Sequence, residues 1–327
     1  MTDKNLQWEK TKILDLGVDV DAFNGLLGLS FDWYKKNTFD ILTTLPVPTS
    51  IGLNGAITND GELVNKGYEL EIRHRNKIGR FQYNANFQIS GFRNELVSIV
   101  TPTPGVREVG LPYNSFYLYE WVGIFQSDED IDKSPKQVYN NPKPGDLKLK
   151  DQNGDNVVDV LDRVSYSPFP KLNYSLNVSA NYQRFSLAIF LQAVRGSHMF
   201  LSDWSSFPFR EGIPPKAEFR NAWTPDNPSN TVPAVHEFSY SGVYGYSSTY
   251  LLRDNSYLRL KNVYLSYALP ESLLKTVKIK QSSVYISGSN LLTFTDFTDG
   301  DPEVREGATA TQFPQVRIVN VGINVKF

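Results

Sequence analysis

The chain has 327 residues, a formal net charge of −2, 13% aromatic residues and no cysteine. That balance leaves no basic excess with which to neutralise a nucleic-acid backbone, and the missing thiols remove disulfide scaffolds, thiolate metal sites and cysteine nucleophiles together. Mean hydropathy is −0.34, and no run approaches the roughly 18 apolar residues of a membrane helix, which excludes a helical membrane protein but not a β-barrel, whose apolar residues alternate with polar ones.

The first residues, Met1 to Asn5, hold no basic segment followed by an apolar core, so they read as no signal peptide. Leu14, Leu16, Val18 and Val20 then alternate with Asp15, Gly17 and Asp19, a period of two that predicts a strand with one apolar face. A tight turn is expected at Phe23-Asn24-Gly25, a second strand over Leu27 to Lys35, and a long segment over about 36 to 66. Strands over Tyr68 to Arg75 and Phe81 to Ser90 flank a turn at Asn76 to Gly79, and a long Pro- and Gly-rich stretch occupies about 91 to 170.

The strongest alternation follows, with Leu172, Tyr174, Leu176, Val178, Ala180 and Tyr182 against Asn173, Ser175, Asn177, Ser179 and Asn181. A turn at Gln183-Arg184 leads to a strand over Phe185 to Val194, and another long segment covers about 195 to 255. The last strands are expected over Tyr257 to Leu269, Val284 to Asn290 and Val316 to Phe327. That makes about nine strands of roughly ten residues, the length that crosses a bilayer at a tilt.

Short turns alternate with long loops, as in outer-membrane barrels with periplasmic turns and extracellular loops. With short turns on the periplasmic side, the first and ninth strands both run inward, and the chain ends in the periplasm on the aromatic Phe327. The fold class is therefore all-β, a partial antiparallel transmembrane β-barrel with long extracellular loops. A soluble β-sandwich also alternates, but strands of this length and loops this long argue against a compact core. Trp33, Tyr34, Tyr182, Tyr264 and Tyr267, near strand ends, are expected in the interfacial aromatic girdle.

Several local motifs resemble the SusC/RagA family of TonB-linked outer-membrane proteins. They are Asn5-Leu6-Gln7-Trp8-Glu9, the stretch from Asn59 to Glu69, Pro144-Gly145-Asp146 followed by Asp151 to Asp155, Gly288 to Thr295, and the close from Phe313 to Phe327. They occur in order from one end of the chain to the other. The resemblance implies that residues 1–327 are the C-terminal part of the barrel of a TonB-dependent receptor in the cell outer membrane, with the plug, the TonB-contacting segment and the earlier strands preceding Met1. It further implies uptake of oligosaccharides or peptides, TonB as energy source, a SusD-like surface lipoprotein as extracellular lid, and no enzymatic activity. The alternative is a non-transporting, surface-exposed glycan-binding module. About nine strands out of about 22 would also leave two open edges, whose unpaired backbone groups cost several kcal/mol each in hydrocarbon.

Two sets of residues carry candidate chemistry. Asp151, Asn153, Asp155, Asp159 and Asp162 occupy positions one, three, five, nine and twelve of a Ca²⁺-type loop, with Val157 placed to offer its carbonyl. Asn156 stands where glycine is usual and Asp162 is a shorter arm than glutamate, so the ion would keep a water or be Mg²⁺; the bland alternative is an Asx-rich turn without an ion. The loop aromatics Trp121, Trp204, Phe207, Phe209, Trp223 and Tyr240 suit stacking on sugar rings, or else pack the loops on one another. His74, His198 and His236 are far apart, which argues against a zinc cluster or a Ser-His-Asp triad. Glu69 with Glu71, and Asp301 with Glu303, are spaced as glycosidase carboxylates, yet the first pair falls on the polar face of a strand and reads as lumen lining.

Overall fold

A computed structural model describes residues 6–44, 50, 52, 55, 57–139, 141–201, 207–209, 214–236, 247–276, 279–304 and 313–327. In chain order the strands are β1 (Lys10–Ala22), β2 (Leu27–Phe39), β3 (Leu42–Thr44), β4 (Ile57–Asn59), β5 (Glu62–Ile78), β6 (Phe81–Ser98), β7 (Phe116–Tyr119), β8 (Trp121–Ile124) and β9 (Leu147–Leu149). They continue as β10 (Arg163–Tyr166), β11 (Leu172–Tyr182), β12 (Phe185–Arg195), β13 (His198–Phe200), β14 (Leu252–Asp254), β15 (Tyr257–Ala268), β16 (Gln281–Phe294) and β17 (Ile318–Lys326). Nine long strands form one sheet in the order β1-β2-β5-β6-β11-β12-β15-β16-β17, and the other eight form four two-stranded ladders. All the pairings in the large sheet are antiparallel.

Register carries each apolar face onto the next strand. Leu176 of β11 stands opposite Phe87 of β6 and Leu191 of β12, and Leu187 of β12 stands opposite Leu265 of β15. The belt continues through Ile286 of β16 to Val321 of β17. Among the described residues no second layer covers that belt, and on its outer strands Leu16 is 59% exposed, Val18 57%, Val321 78% and Ile323 60%. The two-layer sandwich therefore fails, because its apolar faces would be covered. A single layer, greasy on one side and polar on the other, has the make-up of a transmembrane barrel wall.

All nine predicted strands are present. β5 and β6, at 17 and 18 residues, are longer than expected because their ladder runs past the apolar stretch. There it is held by polar pairs such as Asn94 Nδ2 donating to Asn65 Oδ1 at 2.7 Å. The turns behave as their residues require: Phe23, Asn24 and Gln183 adopt φ of 54°, 57° and 54°. The turn between β5 and β6 is tighter than predicted, Gly79-Arg80 alone. The connection from β16 to β17, residues 295 to 317, is a further long loop that periodicity did not single out.

Register also corrects the aromatic girdle. Trp33, Tyr182 and Tyr267 lie on the apolar face as expected, but Tyr34, opposite Gly67, and Tyr264, opposite Ala188 and Ser287, lie on the polar face. β1 and β17 end the strand order and do not pair with each other.

Candidate functional site

The polar face, which a closed barrel turns inward, is divided by charge. In the large sheet Asp15, Asp19 and Asp21 of β1, Asp32 of β2 and Glu69 and Glu71 of β5 share this face, whereas β11, β12, β15, β16 and β17 contain no carboxylate. Asp32 stands directly opposite Glu69, a like-charge pairing that opposes sheet formation. Arg73 relieves part of the field from 3.3 Å beside Glu71 and 3.9 Å from Asp21. Gln88 Nε2 donates to Glu71 at 3.0 Å. A groove of about 450 Å³ runs over this wall, lined by Asp32, Glu69, Gln88, Asn173, Ser175 and Gln192 among others.

The long loops do more than connect. Parts of three of them build a shared hydrophobic core, which includes Tyr119, Ile124, Leu147, Met199, Trp223, Tyr250, Leu251 and Phe297. Trp223 is 9% exposed, and its indole N–H donates to Gln126 Oε1 at 3.0 Å. Gly145 of the Pro-Gly-Asp turn has φ of +95°, and an added Cβ would lie 2.6 Å from the Trp223 ring. Asp146 beside it is fully buried, with Lys143 N–H at 2.7 Å and His236 Nε2 at 2.8 Å from its oxygens. Trp121 donates its ring N–H to the Gly123 carbonyl at 2.6 Å and meets the Tyr250 ring edge-on at 5.3 Å. Burial pushes the Tyr250 hydroxyl up to about 12 against the opposing pull of Arg253. Phe207 packs against the same core, while Phe209 is 62% exposed with φ of 59°. Trp204 and Tyr240 lie outside the described residues.

The acidic loop folds as a series of side chain to backbone turns. Asp151 accepts from the N–H groups of Gly154 (2.6 Å) and Asn156 (2.8 Å). Asn153 accepts from Asp155 N–H at 2.9 Å, and Asp155 from Val157 N–H at 2.9 Å. Asp159 caps the turn Val160–Asp162, accepting from Leu161 N–H at 2.7 Å. Asp162 is fully buried and accepts from Gln152 and Asp159 N–H, each at 2.7 Å. Asn156 has φ of 66°, the left-handed turn usually assigned to glycine at position six. Among the described residues no three His, Asp or Glu side chains converge in a metal-holding group.

One constellation lay beyond sequence reasoning. Arg259, 3% exposed, pairs with Asp301 at 2.8 Å and Glu303 at 2.7 Å, and Lys261 reaches Glu303 at 2.6 Å. Asp299, two residues earlier, takes Lys216 at 2.5 Å and Arg253 at 3.5 Å. Burial of Asp301 favours its neutral form, but hydrogen bonds from Arg259 and from the N–H groups of Glu303 and Gln315 outweigh it and hold the carboxyl below its ordinary value. A bulge between Leu260 and Asn262, matched on β16 beside Asn290 at φ of 53°, brings Arg259 and Lys261 to the same acidic turn. The Gly-Ser-Asn-Leu motif was visible in the sequence, but not the bulge it encodes. Asp301 and Glu303 are thus engaged with cations.

A family model described as TonB dependent receptor-like, beta-barrel matches residues 1–291. TonB-dependent receptor P3 of Formosa agariphila is 32% identical over 355 residues, covering 99% of this chain and 34% of its own length. TonB-dependent receptor SusC of Bacteroides thetaiotaomicron is 25% identical, covering 99% of this chain and 32% of its own length. A solved structure of the RagAB peptide transporter superposes with a TM-score of 0.81 at 25% identity, over 99% of this chain and 36% of that one. The chain spans about a third of the length of the relatives it matches.

Proposed function

Because this chain belongs to the TonB dependent receptor-like β-barrel family, we propose that it supplies the C-terminal barrel strands and outer loops of an outer-membrane receptor of the SusC/RagA type. That receptor imports an oligosaccharide or peptide with energy drawn through TonB, and a SusD-like lipoprotein covers its mouth. The observation that carries this reading is the single-layer sheet with one uncovered apolar face, whose polar face is left for a water-filled passage. Similarity to a peptide transporter favours a peptide cargo, and similarity to the SusC receptor supports the lipoprotein partner. The relatives are receptors, so the chain is read as a carrier of ligand and not a catalyst.

Deleting the gene and scoring growth on single oligosaccharides or peptides tests the reading. Loss of growth on one ligand class, restored by the intact gene but not in cells lacking TonB, is the expected result. Ligand capture at the cell surface with uptake unchanged would favour a non-transporting glycan-binding module instead.

For the loop 151–162 we propose Ca²⁺, held by Asp151, Asn153, Asp155, the Val157 carbonyl, Asp159 and Asp162. Support comes from the spacing and from the left-handed Asn156; the carboxylates have to turn partly away from their N–H partners to converge. Metal analysis of the purified receptor should find calcium that Asp151→Ala with Asp155→Ala removes. Equal content in both proteins would leave the Asx turn as the better reading. For the loop aromatics, the burial of Trp223 and the contacts of Trp121 and Phe207 support packing of the loops, leaving Phe209, among the described rings of the set, as the exposed one that suits ligand stacking.

A further inference from the structure

Two arginines in the long connection between β6 and β11 have no ion-pair partner among the described residues. Arg163, the first residue of β10, lies with its guanidinium 4.6 Å from the Tyr119 ring centre and 5.6 Å from that of Tyr117. Its Nε is sealed from solvent without a hydrogen-bond partner, and the same holds for Arg107 Nε. Among the described residues neither arginine forms an ion pair, whereas Arg253 of β14 and Arg259 of β15 are each matched by carboxylates. The segments that carry them are joined. Arg107 exchanges backbone hydrogen bonds with Thr103 across a turn whose Gly105 packs on the Tyr117 ring, and Ser165 Oγ donates to the Gly105 carbonyl at 2.7 Å.

The described acids nearest to them in sequence and strand pairing are otherwise committed. Glu108 accepts from Gly105 N–H at 2.8 Å, Glu120 faces Lys150 at 3.4 Å, and Asp162, next to Arg163, is buried on backbone N–H groups. Ring stacking fixes the plane of a guanidinium and leaves its terminal nitrogens to act as a two-pronged donor. A half-buried cation in that position is matched best by an anion with two oxygens in one plane.

We propose that Arg163 and Arg107 form a carboxylate-binding site at the outer end of the barrel, and that the ligand carries the carboxylate. An acidic peptide and a uronic-acid sugar share that chemistry. The proposal deepens the import reading and rests on it for the ligand being cargo, but its test reads binding and not uptake.

Calorimetry on the intact purified receptor would compare two matched pairs: an acidic oligopeptide with its amidated form, and an oligogalacturonate with its methyl ester. In one pair the acid should bind tighter by about tenfold or more, and that pair names the source. Arg163→Gln and Arg107→Gln should each abolish most of the preference with little change for the neutral form. Arg163→Lys, which keeps the charge and the ring contact but not the fork, should lose most of it too, and covers the case in which the glutamine variant misfolds. No acid preference in either pair, or a preference that survives Arg163→Lys, overturns the proposal. Uptake that fails while the preference persists would count against import alone.

Discussion

Asp162 shows how much one side chain can organise. It is fully buried, and its oxygens satisfy N–H groups from Gln152, Asn153 and Asp159. Truncation to alanine strands those donors, each of which costs about 1–3 kcal/mol when buried. Asp162→Ala should therefore lower the melting temperature of the loops or expose them to protease. Asp301 predicts a pH effect with a definite sign. Its carboxyl sits below the ordinary value in the folded protein, so its stabilisation is present above the unfolded value of about 3.9 and is lost as pH falls through the folded one. Protease cutting in the 295–304 segment should stay low down to about pH 4 and rise below it. Asp301→Asn should show raised cutting at neutral pH and a flatter profile.

Within the sheet, three tyrosines face glycines across a ladder: Tyr34 over Gly67, Tyr68 over Gly91 and Tyr285 over Gly322. A Cβ on Gly67 would stand 2.5 Å from Tyr34 Oη, and one on Gly322 2.5 Å from the Tyr285 ring. Each tyrosine reaches over a strand position that has no side chain of its own. Gly322→Ala should destabilise the barrel by about 1–3 kcal/mol, read as an earlier loss of the folded band on heated gels. Adding Tyr285→Ala should recover part of that loss, since the collision disappears with the ring. The alternation in β16 and β17 was legible in the sequence, but not this joint, because it depends on which residue of one strand faces which of another.

At the scale of the whole molecule, nine strands with two unpaired outer members cannot hide all their backbone groups from lipid. Residues 1–327 expressed alone should give no heat-modifiable band in outer-membrane fractions. A band of that kind from the isolated segment would show that it closes by itself or with copies of itself. The same scale reveals where ordinary burial occurs. The wall leaves its apolar side chains uncovered, and the protein's main buried core is assembled by the loops, from Tyr119 to Phe297.

Local pattern settled what local physics controls. A period of two places side chains on alternate faces, so the strands, their order of direction and the greasy belt followed from the sequence, as did the tight turns at Asn24 and Gln183. The family resemblance was legible for the same reason, being carried by contiguous motifs. What the tertiary structure alone decided is which distant residues meet: Arg259 with Asp301, Trp223 with Gln126, Arg163 with two tyrosine rings. Such contacts depend on loop closure over tens of residues, where register, bulges and burial choose among many chemically reasonable partners, and no spacing in the chain records that choice.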